Sequence, residues 1–114
     1  MVNQVFLIGR LVRDPELFET ANKTEVAKIT LAIQKGYKNQ DGIYEADYIN
    51  CTLWRGIAKS ICDCCKKGDT IAVRGKLESN KYEKDGKMVY STDVIAEKIS
   101  FISSKKEEIK KEIE

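Results

Sequence analysis

Hydrophobic residues along this chain recur mostly at every second position, the spacing of strands that bury one face. Residues 4–11 form the first such segment, apolar on both faces through Val5, Phe6, Leu7 and Ile8. Arg13-Asp14-Pro15-Glu16 stops it, because the proline removes a ladder donor. After a turn signal at Asn22-Lys23, the residues Ala27, Ile29, Leu31 and Ile33 alternate with Lys28, Thr30 and Gln34, which predicts a half-buried second strand. The polar stretch 35–47 then reads as a loop carrying Tyr37 and the hairpin signal Asp41-Gly42. Residues 48–54 predict a third strand, with Ile49, Cys51 and Leu53 on one face and Tyr48, Asn50, Thr52 and Trp54 on the other.

One internal segment has helical spacing instead. Ile57, Ile61 and Cys65 lie four apart with Ala58 and Cys62 beside them, predicting a helix over 57–67 with Lys66 and Lys67 at its C-terminal end and Gly68 as its stop. A fourth strand follows, with Ile71, Val73 and Leu77 facing one way and Arg74, Lys76 and Glu78 the other, running on towards Tyr82. Asp85-Gly86 turns the chain into a fifth strand over 88–97, continued by Ile99, Phe101 and Ile102. The order β-β-β-α-β-β is that of an all-β, five-stranded OB-fold, a Greek-key barrel with one short helix between strands 3 and 4. Gly9 and Gly75, isolated within strands, predict a bulge or a tight barrel bend.

At 114 residues the chain has room for one core, and no apolar run exceeds four residues, far short of a membrane span. The start Met1-Val2-Asn3-Gln4 has no export signature, so a cytoplasmic location is expected. Four cysteines without export are expected to stay reduced. Cys62 and Cys65 form a C-x-x-C, but Cys51 and Cys64 complete no usual zinc spacing, so the segment reads as the buried stripe of the helix, with no metal and no cofactor expected. The last ten residues, 105–114, balance four lysines against four glutamates. Ile109 and Ile113 permit a short amphipathic helix there, although so short a segment is marginal in water and a frayed tail is expected.

The chain has no histidine, which removes the usual proton shuttle and the histidine-bearing triads, and it has no glycine-rich phosphate loop. The acids Asp14, Glu16 and Asp85 fall in turns, where such groups usually face water, so an enzyme is not expected. The distribution of aromatics is more informative. Tyr48 and Trp54 share the non-core face of strand three, with Tyr37 before it and Tyr82 at the far end of strand four. Lys35, Lys38, Arg55, Arg74, Lys76, Lys81, Lys84 and Lys87 surround them and are candidates for contacts to phosphate. Rings that stack exposed bases, threaded with cations that meet phosphates, suit single-stranded nucleic acid. A net charge of only +2 implies that a non-ionic interaction must carry much of any such binding. Tyr44, Tyr90, Phe6, Phe18 and Phe101 read as half-buried sheet residues or subunit contacts.

Several segments, taken in order, resemble the bacterial single-stranded DNA-binding proteins. They are Asn3-Gln4-Val5-Phe6-Leu7-Ile8-Gly9-Arg10-Leu11 with Asp14-Pro15-Glu16, Ala27-Lys28-Ile29-Thr30-Leu31-Ala32, Ala46-Asp47-Tyr48-Ile49-Asn50-Cys51-Thr52-Leu53-Trp54-Arg55, Lys66-Lys67-Gly68-Asp69 and Val73-Arg74-Gly75-Lys76-Leu77. The resemblance covers about residues 3–102. It implies an OB-fold domain over 1–104 that assembles as a homotetramer and holds single-stranded DNA in replication, recombination and repair, in a nucleoid-associated setting. It places the family's stacking positions on Tyr37, Tyr48, Trp54 and Tyr82, the first, second and fourth of which are tryptophan in some members. Glu78 and Ser79 stand where many members carry more basic or hydroxyl residues. Members often end in a glycine- and glutamine-rich linker with an acidic tip that recruits partner proteins. The short charged tail 105–114 has neither feature, so recruitment by that route is not expected. A primosome-type or RNA-binding OB protein, which would use the same platform, remains open beside this reading, as do a purely structural OB domain and a thiol-based protein built on Cys62-Asp63-Cys64-Cys65.

Overall fold

The computed structural model describes residues 1–104, so the expected tail at 105–114 lies outside the described residues. The chain order is β1 (Val5–Leu11), β2 (Glu16–Glu19), β3 (Glu25–Lys38), β4 (Tyr44–Trp54), α1 (Gly56–Cys64), β5 (Thr70–Lys84) and β6 (Lys87–Ser103). The sheet runs β1-β5-β6-β4-β3-β2, and an additional pairing of β1 with β3 closes it. Five of the strands thus form the expected OB barrel. The pairing of β4 with β6 is parallel, through Cys51 opposite Val94 and Thr52 opposite Ile95, and the other pairings are antiparallel.

Inside the barrel, period-two alternation delivers Leu11, Ala27, Ile29, Leu31, Cys51, Leu53, Ile71, Val73, Val94 and Ala96 to one core, on which Ala58, Ile61 and Cys65 sit from the α1 side. Gly75 shows why closure needs a residue without a side chain. The β5–β6 register shifts between Arg74 and Gly75, and a Cβ at Gly75 would lie 2.0 Å from the carbonyl oxygen of Ile95. Gly9 is similar, with the Ala32 carbonyl oxygen 2.8 Å from its would-be Cβ. Gly75 thus sits at the bulge that a lone strand glycine predicts, whereas Gly9 marks a close approach within a regular register.

Three expectations are corrected. The sequence pattern assigns no strand to β2, and its Glu16 falls in the proline stop: all four of its residues are exposed, so no burial alternation marks it, yet its backbone pairs with β3 from Glu16 opposite Lys28 to Glu19 opposite Glu25. The polar stretch 35–47 is mostly ribbon, because the β3–β4 ladder continues past the core and only residues 39–43 turn. There the Asn39 side-chain oxygen accepts from the N–H groups of Asp41 and Ile43 at 2.9 and 3.0 Å. Tyr37 is therefore on a strand. Finally, α1 ends at Cys64, not at Lys67, and Cys65 takes an extended backbone after donating to the Ile61 carbonyl.

Lys66 and Lys67 consequently lie beyond the helix, in a turn tied to the barrel. Lys66 N–H donates to Asp69 Oδ2 at 2.9 Å and Lys67 N–H to Asp14 Oδ1 at 2.7 Å, while Gly68, at φ 91°, donates to the Leu11 carbonyl at 2.8 Å. Asp14 is exposed, as expected of a turn acid, and one of its oxygens also clasps this turn. No described helix is long and apolar enough to cross a membrane.

Gly75→Ala is expected to destabilise the fold by about 3 kcal/mol, since the methyl group forces backbone apart. Gly36→Ala, at a position where a Cβ meets no atom within 4 Å, is expected to stay within about 0.5 kcal/mol of the parent. Urea denaturation at neutral pH measures both, and equal midpoints for the two variants would contradict the account of Gly75.

Candidate nucleic-acid interface

The barrel gives each strand one inner face, so what lies opposite must face outward. On β4, Ile49, Cys51 and Leu53 point inward and Tyr48, Asn50, Thr52 and Trp54 outward. Tyr48 is 67% exposed and Trp54 41%. The six residue steps from one to the other span about 20 Å of strand. Their outward neighbours on β3 are Ala32 opposite Tyr48, Thr30 opposite Asn50, Lys28 opposite Thr52 and Val26 opposite Trp54.

The middle of this face is held rigid by side chains. Thr30 Oγ1 donates to Asn50 Oδ1 at 2.8 Å and accepts from Arg13 Nη2 at 2.9 Å, which fixes the guanidinium beside the sheet. Two hollows follow, one of about 290 Å³ that includes Arg13, Lys28, Asn50 and Asp93 and one of about 330 Å³ that includes Lys28, Trp54, Glu78 and Asp93. Arg13 and Lys28 were not among the sequence-derived cations. Lys28 was legible, since the alternation of β3 turns it outward. Arg13 was not, since only the folded chain brings its turn to Thr30. Glu78 and Asp93 are opposite each other on β5 and β6, and Asn80 Nδ2 donates to Asp93 Oδ2 at 2.9 Å. The hollow beside Trp54 is therefore lined by acids as well as cations.

The remaining candidates sort by ribbon face. Tyr82, opposite Val89, shares its face of the β5–β6 ribbon with Lys76, Glu78 and Asn80. Lys84 and Lys87 oppose each other at its tip, where Asp85 (φ 52°) and Gly86 (φ 77°) make the turn. Lys81 is opposite Tyr90 on the other face, away from Tyr82. Lys35 is similarly displaced from Tyr48: its Nζ lies 3.0 Å from Asp47 Oδ1, on the side that continues the inner face of β4. Hydrogen bonding to Asp47 and its charge hold the Lys35 pKa above the usual lysine value. Lys38 Nζ sits 5.5 Å over the Tyr44 ring, and Arg74 is opposite Phe6 of β1. Tyr37 is exposed near the end of β3, beside a register irregularity between Gln34 and Lys38.

The five aromatics read as half-buried sheet residues or subunit contacts, Phe6, Phe18, Tyr44, Tyr90 and Phe101, are 48–74% exposed, which corrects the half-buried alternative. The barrel fills its interior with aliphatic side chains and cysteine, leaving no room inside for rings. Burial pushes the Cys51 thiol up to about 11 and raises Cys62 and Cys65 as well, so these sulfurs hold their protons at neutral pH.

Arg55 directly follows Trp54 and has φ 57° and ψ −128°, a left-handed conformation that side chains rarely adopt. Its N–H donates to the Glu25 carbonyl at 2.7 Å, fixing the corner from which α1 begins. Such strain gathers at functional positions.

The closed barrel, with its helix between β4 and β5 and an aromatic outer face, defines an OB-fold binding module. The profile of the single-strand binding protein family matches residues 2–102, and the chain belongs to that family. It is 46% identical to a single-stranded DNA-binding protein of Bacillus cereus over 103 residues, covering 90% of this chain and 61% of that protein. It is 43% identical to single-stranded DNA-binding protein B of Bacillus subtilis over 109 residues, covering 95% of this chain and 96% of that one. Single-stranded DNA-binding protein 1 of Streptococcus pyogenes is 42% identical over 106 residues, covering 92% of this chain and 82% of that protein.

Replacing Arg55 by glycine is expected to raise stability by about 1 kcal/mol, the relief of left-handed strain less the added entropy of an unfolded glycine. Thermal unfolding compares the two proteins, and a lower Tm for Arg55→Gly would show that the side chain stabilises the corner.

Proposed function

We propose that this chain binds single-stranded DNA without sequence preference and protects it during replication, recombination and repair, as a homotetramer on unpaired DNA of the nucleoid in the cytoplasm. The observation that carries the reading is the outward pair Tyr48 and Trp54, set on one strand whose other face is locked into the core. Bases stack on these rings and on Tyr37 and Tyr82, and stacking tolerates any sequence because every base has a π-face. Arg55, Arg74, Lys76, Lys38, Lys84 and Lys87 meet the phosphates. Lys35 and Lys81 serve only DNA that wraps onto the opposite ribbon faces. The printed names of the relatives support the ligand. The role is binding, with no catalytic step.

The homotetramer rests on β1. Phe6 and Ile8 project from its outer face at 66% and 50% exposure, an apolar pair that a second copy would cover.

Trp54 is the chain's only tryptophan, so a base stacked on it should quench the protein's emission. Oligo(dT) is expected to quench strongly and duplex DNA of equal length weakly, while Trp54→Ala loses about 1–3 kcal/mol of binding. Native mass spectrometry should find four chains of 13.0 kDa. Equal affinity for duplex and single strand would sink the reading of the ligand, an RNA oligomer preferred over DNA of the same sequence would reassign it, and a stable monomer would remove the tetramer.

A second expectation concerns the acids beside Trp54. Glu78→Gln removes one of two opposed carboxylates from the path of a polyanion, so affinity should rise several-fold at low salt and the gain should shrink as salt screens it. Titrations at two ionic strengths check this. A gain independent of salt would mean that Glu78 acts through packing.

A further inference from the structure

The cross-strand registers carry the aromatic face beyond β4. Trp54 is opposite Val26, and Val26 is opposite Phe18 of β2. Directly opposed residues share a face, and neighbouring strands lie about 4.8 Å apart, so Phe18 and Trp54 look out from the same side of the sheet about 10 Å from each other. Val26 between them is buried to 8% exposure and packs the gap. Phe18 itself is 51% exposed, on a strand that supplies nothing to the core cluster of buried residues.

Cations flank this ring. Arg13 and Lys28 line a hollow of about 190 Å³ with Phe18, and Lys28 also lines the hollow at Trp54. Lys28 thus borders both aromatics from the next row of the sheet, and Arg13 is oriented by Thr30. The acids nearby are Asp14, one of whose oxygens is occupied by the Lys67 N–H, and Glu16, opposite Lys28. A ring, two cations at its edge and continuity with a stacking tryptophan are what a nucleotide of the same strand requires.

We propose that Phe18, Lys28 and Arg13 form a further nucleotide subsite, in which a base of the single strand leaving Trp54 stacks on Phe18 while its phosphate lies against Lys28 and Arg13. The inference rests on the reading of the chain as a single-stranded DNA binder. It makes the β2–β3 hairpin part of the DNA path and assigns Phe18 to the ligand, not to a subunit contact.

The test uses the full chain and oligo(dT). Phe18→Leu keeps an apolar side chain but loses the π-face, and it is expected to weaken binding about tenfold. Phe18→Tyr keeps the ring and should stay within about twofold of the parent, since stacking needs only the ring face. Lys28→Gln should lower the slope of log affinity against log salt by about 0.7, one phosphate contact on a single strand. Ultraviolet crosslinking of oligo(dT), mapped by mass spectrometry, should mark the peptide that contains Phe18. Phe18→Leu binding like the parent while Trp54→Ala is weakened would overturn the subsite and leave the DNA-binding reading standing. A changed oligomeric mass for Phe18→Leu would assign the ring to a subunit contact and also overturn it. If neither Trp54→Ala nor Phe18→Leu alters binding, the functional reading falls and the subsite falls with it.

Discussion

Closing a sheet into a barrel allows each strand only one face to bury, and the interior of this barrel is narrow enough that aliphatic side chains fill it. The closure depends on two backbone approaches that no side chain could survive, Gly75 against the Ile95 carbonyl and Gly9 against that of Ala32. Once those contacts fix the register, the fate of every outward residue on β3, β4 and β6 is decided. Trp54 and Tyr48 face outward because their neighbours Leu53 and Ile49 take the other side. An aromatic surface is thus a consequence of the same alternation that builds the core.

That alternation is also why most of the fold could be read from the chain. The strand at 48–54 was legible because Ile49, Cys51 and Leu53 are buried on one side only, and the helix because Ala58 and Ile61 pack on the barrel. What escaped has no burial signature. β2 pairs with β3 while exposing all four of its residues, and the strand extensions at Lys35 to Lys38 are polar ribbon whose hydrogen bonds are invisible in residue type. The helix end was misplaced because Gly68 does stop the chain's direction, but in a turn clasped by Asp14 and Asp69 after the helix has already ended.

The candidate site divides in the same way. Tyr48 and Trp54 followed from counting positions on one strand. The separation of Lys81 from Tyr82 could follow from the same count once the hairpin register was known. By contrast, the row Phe18–Val26–Trp54 needs two registers at once, and the position of Arg13 needs the hydrogen bond to Thr30. Contacts that join distant segments are the ones a linear pattern cannot supply.

Under the proposed function, electrostatics gives a reason for the rings to dominate. With a net charge of +2 and with Glu78 and Asp93 in the hollow beside Trp54, the surface is too mixed in sign to capture a polyanion by field alone. Lys35 is further discounted by its bond to Asp47. A stacked base covers about 60–100 Å² of ring face, and at about 25 cal/mol per Å² that contributes about 2 kcal/mol, a quantity that salt scarcely screens. A few such rings in sequence outweigh the same number of exposed cations, each screened over about 10 Å at moderate ionic strength. On that reading the cations are left to set the direction of the backbone between rings, the task proposed for Lys28 in the row beside Phe18 and Trp54.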